Sequence, residues 1–84
     1  MFSIQVRMAR AALGWGIVEL AENAGISTNT LVRLEKGEDL KRSTIESIRS
    51  ALENAGVEFI DNDVAFGIIV NKTATLQSYR PIEK

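Results

Sequence analysis

The stretch IVELAENAGISTNTLVRL, residues 17–34, decides how this chain reads. Ala21 stands four residues before Gly25, Ile26 follows the glycine, and Leu31 and Leu34 lie at helical spacing beyond it. A short helix is expected to end at Gly25, where a positive φ costs least, and the small Ala21 lets the next helix cross at close range. Ile26, Leu31 and Leu34 then turn inward, which leaves Thr28, Asn29 and Arg33 on the outer face of the second helix.

Working outward from this stretch, the helix punctuation is regular. Ser27 is placed to cap the helix that carries Thr28, with Ile26 and Leu31 as a hydrophobic staple, and Gly37 ends that helix after Lys36. The helix before it starts near Ile17. Trp15 and Leu20 form its staple, and Gly16 is a weak cap because it offers no side-chain acceptor. Upstream, Ser3 is the expected cap of a helix running to about Leu13, with Val6, Ala9, Ala12 and Leu13 on one face and Gly14 as its stop. Downstream, a polar connection from Glu38 to Arg42 leads to a fourth helix. Ser43 followed by Glu46 reads as a capping box, with Asp39 as a second candidate cap. Ile45, Ile48, Ala51, Leu52 and Ala55 recur at the amphipathic period up to Gly56.

After Gly56 the pattern changes to strands. VEFI (57–60) and AFGIIV (65–70) are rich in strand-forming residues, and Asp61-Asn62-Asp63 between them forms a turn. Gly67 inside the second run is expected to mark a bulge. TATLQSY (73–79) alternates enough for a third strand, and Pro81 with the polar end predicts fraying. A two-stranded hairpin is barely stable alone, and the run Phe66-Gly67-Ile68-Ile69-Val70 is too apolar to leave in water. It must pack on the first and fourth helices or pair with another chain.

Composition removes whole classes of function. The 84 residues suit one domain of modest core, with 45% apolar and 25% charged residues in the ordinary globular range. Neither cysteine nor histidine occurs, which excludes disulfides, a thiol nucleophile, a histidine-based triad and the usual zinc sites. No cofactor and no metal are expected, and no enzyme. The beginning MFSIQVRMAR lacks the apolar run of a secretory signal, and no apolar stretch is long enough to span a membrane, so a cytoplasmic, nucleoid-associated place is expected. Net charge is −1, against the basic balance common in nucleic-acid binders. The distribution is uneven. Residues 1–50 carry seven basic side chains against six acids, and residues 51–84 carry three against five.

The glycine-centred pair of helices has the spacing of a DNA-binding helix-turn-helix. Residues 4 to about 60 resemble the phage-repressor type of regulator, the Cro-like or XRE family. The resemblance lies in Leu13-Gly14-Trp15, Glu19-Leu20-Ala21, Ala24-Gly25-Ile26-Ser27, Thr30-Leu31 and Leu34-Glu35-x-Gly37. The ending Ala51-Leu52-Glu53-x-Ala55-Gly56-Val57-Glu58-Phe59 is similar to small stand-alone regulators with a β-strand extension. The resemblance implies a mainly α, four-helix, lambda-repressor-like DNA-binding domain over residues 1–56. It adds a C-terminal β-hairpin or strand extension over residues 57–84. That extension becomes a dimerisation element where its apolar strands pair with another chain rather than pack on their own domain, and its end is a frayed tail.

It also implies roles. Thr28 and Asn29 would meet base edges in the major groove, and Arg33 one turn later a base or a phosphate. The chemistry agrees, because Asn pairs with adenine through two hydrogen bonds, Arg does so with guanine, and Thr meets a thymine methyl. Thr30, Lys36, Lys41 and Arg42 would touch phosphates. Arg10 and Glu35 occupy positions that pair in the family and lock its fold. Two positions depart from the pattern: Gly16 and Ile17 stand where the family has a Ser or Thr cap and a phosphate-anchoring Gln. The expected function is a sequence-specific, homodimeric DNA-binding regulator, a repressor of bacterial or phage origin. The alternative is an antitoxin or protein-interaction module whose C-terminal strands bind a toxin partner by strand addition.

The remaining signals in the chain have plainer explanations. An ordinary αα-hairpin would share the glycine but not the whole run Ala21, Ala24, Gly25, Ile26, Leu31 and Leu34. Gly14-Trp15-Gly16 has no preceding strand and is no dinucleotide loop. Glu19 and Glu22 form a solvated face, Asp61-Asn62-Asp63 lacks the glycine and distant glutamate of a calcium loop, and Asn71-Lys72-Thr73 is a chance sequon.

Overall fold

The computed structural model describes residues 2–72. They form α1 (Phe2–Leu13), α2 (Ile17–Ala24), α3 (Thr28–Glu35), α4 (Arg42–Asn54), β1 (Val57–Asp61) and β2 (Phe66–Val70). This is the expected mainly α architecture with a C-terminal hairpin. The suggested third strand over 73–79 and the fraying at Pro81 lie outside the described residues.

Glycine punctuation sets the helix lengths. Ile26 N–H bonds the Ala21 carbonyl at 3.0 Å across Gly25, whose φ is 69°. Glu38 N–H bonds the Arg33 carbonyl at 3.1 Å across Gly37, whose φ is 92°. Trp15 N–H bonds the Arg10 carbonyl at 2.9 Å in the same way. Each is a Schellman closure, which satisfies carbonyls that the helix end leaves open and reverses the chain within two residues.

The starts of α2, α3 and α4 share a second device. The residue before each cap (Trp15, Ile26, Leu40) and the fourth residue of each helix (Leu20, Leu31, Ile45) both sit in or against the core. Staples of this kind fix the angle at which the chain enters a helix. They explain a correction at α4. Ser43 and Glu46 form no capping box: the helix begins at Arg42 after Lys41, whose side chain makes no cap bond. Leu40 and Ile45 line one cleft, and packing that pair sets the start that Ser43 alone would have placed two residues later. Asp39 likewise is not the cap.

Ser3 is corrected too. α1 already includes Phe2, so Ser3 lies within its first turn. The Phe2 ring sits 5.4 Å from that of Phe59, and the Arg49 guanidinium lies 5.0 Å and 4.8 Å from these two rings. This cluster ties the start of α1 to α4 and β1.

The core gathers Val6, Ala9 and Leu13 from α1, Leu20 and Ala21 from α2, Leu31 and Leu34 from α3, Ile48 and Leu52 from α4, and Val57 from β1. Each large side chain buried this fully contributes about 1.5–3 kcal/mol. β1 and β2 pair antiparallel in an unbroken register from Val57↔Val70 to Asp61↔Phe66. Gly67 faces Ile60 within that register, so it marks no bulge. At the turn, Asn62 Oδ1 accepts from the backbone N–H groups of Val64 and Ala65 at 2.8 and 3.0 Å.

The hairpin packs on α1 and α4, with Phe59, Ile68 and Val70 against the core. One buried polar residue holds it there. Gln5 is 3% exposed, and its Nε2 donates to the carbonyls of Ile60 at 2.9 Å and Gly67 at 2.8 Å. Two carbonyls from paired residues thus satisfy both hydrogens of one buried amide.

Candidate nucleic-acid interface

The site is built on α3, eight residues long and held at both ends. At its start Ser27 Oγ accepts from Thr30 N–H at 3.1 Å and lies 2.8 Å from Thr30 Oγ1. On its inner side Leu31 and Leu34 are buried. At its end Glu35 receives Arg10 of α1 through two bonds, Nε to Oε2 at 2.7 Å and Nη2 to Oε1 at 2.8 Å. Both side chains are mostly buried, at 22% and 11% exposure. The hydrogen bond to Glu35 raises the Arg10 pKa above its ordinary value; desolvation opposes this, and the carboxylate's charge adds to it. Arg10 also donates from Nη1 to the Trp15 carbonyl at 3.2 Å, so one guanidinium fastens α3 and the turn after α1.

The outer face of α3 carries the expected residues. Thr28 and Asn29 are exposed in its first turn. Arg33 is exposed one turn on and pairs with Glu38, Nε to Oε1 at 3.0 Å. Lys36 is exposed at the helix end. Thr30 is placed differently, half-buried with its hydroxyl engaged by Ser27, so its backbone N–H and hydroxyl are already used at the cap. Lys41 and Arg42 are exposed at the start of α4, and Arg42 pairs with Glu46 at 3.3 Å. Lys36 and Lys41 have no ion pair among the described residues.

Val32 was not singled out from the sequence. It is half-exposed, four residues after Thr28 and three after Asn29, so it shares their face. The signal was available: Val32 falls outside the inward spacing of Leu31 and Leu34. An apolar side chain beside Thr28 suits a thymine methyl. Ile17, where the family has its anchoring glutamine, is half-buried against the core, and the Gly16 N–H is taken by Glu19 Oε1 at 2.8 Å.

The arrangement offers hydrogen-bonding side chains on a narrow rigid helix, with cations at its far end and on the next helix start. That is equipment for reading base edges and holding phosphates. Among the described residues no cluster of acids could hold a metal ion, and no helix is long and apolar enough to cross a membrane.

No curated protein is similar enough to this chain to count as a match. A family model described as helix-turn-helix matches residues 6–58, from within α1 into β1, which is more than half of the chain. With α2, the Gly25 turn and α3 in the geometry just described, the chain belongs to the XRE-type, Cro-like family of DNA-binding helix-turn-helix regulators.

Proposed function

We propose that this protein is a homodimeric transcriptional repressor of bacterial or phage origin that reads a short palindromic operator through α3. The single observation that carries the reading is the exposure of Thr28, Asn29 and Arg33 on one face of a helix locked by Arg10 and Glu35. Asn29 is proposed to read adenine, Arg33 guanine, and Thr28 with Val32 a thymine methyl. Lys36, Lys41 and Arg42 would hold phosphates, and Thr30 would support them by keeping the helix start closed on Ser27. Residues 1–56 would bind DNA, and residues 57–84 would serve assembly.

Exposed apolar residues support the homodimer: Ile4 and Met8 on α1, and Phe66 and Ile69 on β2. Two copies place two recognition helices about one DNA turn apart, which makes the operator a palindrome. Repression then needs only occupancy of the promoter, with no cofactor, in the cytoplasm on the nucleoid.

Selection of bound sequences from a random DNA pool tests the proposal. A palindromic consensus with half-sites about one helical turn apart is the expected result. Enrichment of no sequence would remove it. Sedimentation of the protein alone tests the dimer, and a monomer that binds DNA singly would turn the hairpin toward a different protein partner, as in an antitoxin.

A further inference from the structure

Arg33 and Glu38 are joined twice. The Glu38 N–H bonds the Arg33 carbonyl at 3.1 Å, and the Glu38 carboxylate accepts the Arg33 Nε–H at 3.0 Å. The first bond is the Schellman closure at Gly37, and it brings Glu38 back alongside the last turn of α3. The same closure ends α1, where Trp15 N–H bonds the Arg10 carbonyl and the Arg10 Nη1 bonds the Trp15 carbonyl. In both helices the arginine at the closing carbonyl is steadied by the residue beyond the glycine. At α1 that arginine is mostly buried and structural; at α3 it is exposed on the outer face.

We infer that Glu38 is a positioning residue that aims Arg33 at a guanine, and so sets base specificity without touching DNA. The inference rests on the DNA-reading proposal above. Its chemistry lies in which nitrogen Glu38 takes. Guanine O6 and N7 accept two parallel bonds from a guanidinium. Glu38 uses the inner Nε–H and leaves the two terminal Nη groups for that task, so the pair survives reading. An arginine carries much rotamer freedom, and ordering it beforehand lowers what is lost on binding. The carboxylate also offsets the charge of Arg33, which weakens attraction to any phosphate and therefore binding to unrelated sequence. The ordering of Arg33 widens the gap between operator and random DNA, whereas the charge offset weakens both.

Anisotropy titrations on the pool-selected sequence and on a scrambled duplex separate the effects. Glu38→Ala should lower the ratio of the two affinities about threefold to tenfold per dimer, roughly twofold to threefold for each of its two exposed charge pairs. Glu38→Gln keeps an oxygen that accepts the Nε–H and loses only the charge. It should hold that ratio within about twofold while binding scrambled DNA more tightly. Adding Glu38→Ala to Arg33→Ala should change the ratio no further. Equal tightening on both duplexes by Glu38→Ala, or the same loss of ratio in the Gln variant, would overturn the role while leaving DNA reading intact. A wild-type protein that selects no sequence would overturn both.

Discussion

Arg10 and Glu35 meet through two hydrogen bonds of 2.7 and 2.8 Å and thereby fix the end of α3 to α1. α3 is therefore held from behind by a planar, bidentate pair, a geometry lysine cannot reproduce. Arg10→Ala leaves the Glu35 carboxylate mostly buried without its partner, and should cost about 2 kcal/mol, less than for a fully buried pair. Arg10→Lys should recover less than half of that loss. Urea denaturation of the three proteins measures both values.

Gln5 is the corresponding fastener for the hairpin. Replacing it with leucine removes two hydrogen bonds to β1 and β2 and should destabilise the protein by about 1–2 kcal/mol. The strands should lose amide-exchange protection before the helices do. Equal loss throughout would mean that the hairpin does not open separately.

Gly25 and Gly37 both have positive φ, and a Cβ at either would meet no atom within 4 Å. Alanine at each should therefore cost only the left-handed backbone penalty, about 1–2 kcal/mol, with no added clash. The two differ in consequence. At Gly37 the penalty falls on the closure that brings Glu38 to Arg33 and makes it open more readily, so operator selectivity should fall in addition to stability.

Lys41 is exposed and carries no ion pair among the described residues. Lys41→Ala should weaken operator and scrambled DNA by a similar factor and reduce the slope of log affinity against log salt by about 1 per protomer. Thr28→Ala should leave that slope unchanged.

What was legible in the sequence is what local chemistry dictates. Gly25 and Gly37, the Ser27 cap and the inward spacing of Leu31 and Leu34 depend on neighbours within five residues, and each is found where it was expected. The Arg10–Glu35 pair was legible only through family resemblance, since nothing in the spacing of residues 25 apart announces a contact. Gln5 was missed because its acceptors are backbone carbonyls 55 and 62 residues away. Glu38 looked like part of a polar connection, because a contact across a helix end follows the Schellman turn rather than helical periodicity. Ser43 and Ser3 failed as caps for one physical reason. A cap competes with tertiary packing, and Leu40 with Ile45, or Phe2 with Phe59, moved the helix start.

The central claim is that α3 reads base edges with its first turn, and Asn29→Ala tests it most directly. On the pool-selected sequence the account predicts a loss of about 1–3 kcal/mol, with relaxed preference at one adenine in each half-site and nearly unchanged affinity for scrambled DNA. An equal loss on both duplexes, or no loss on either, would contradict it.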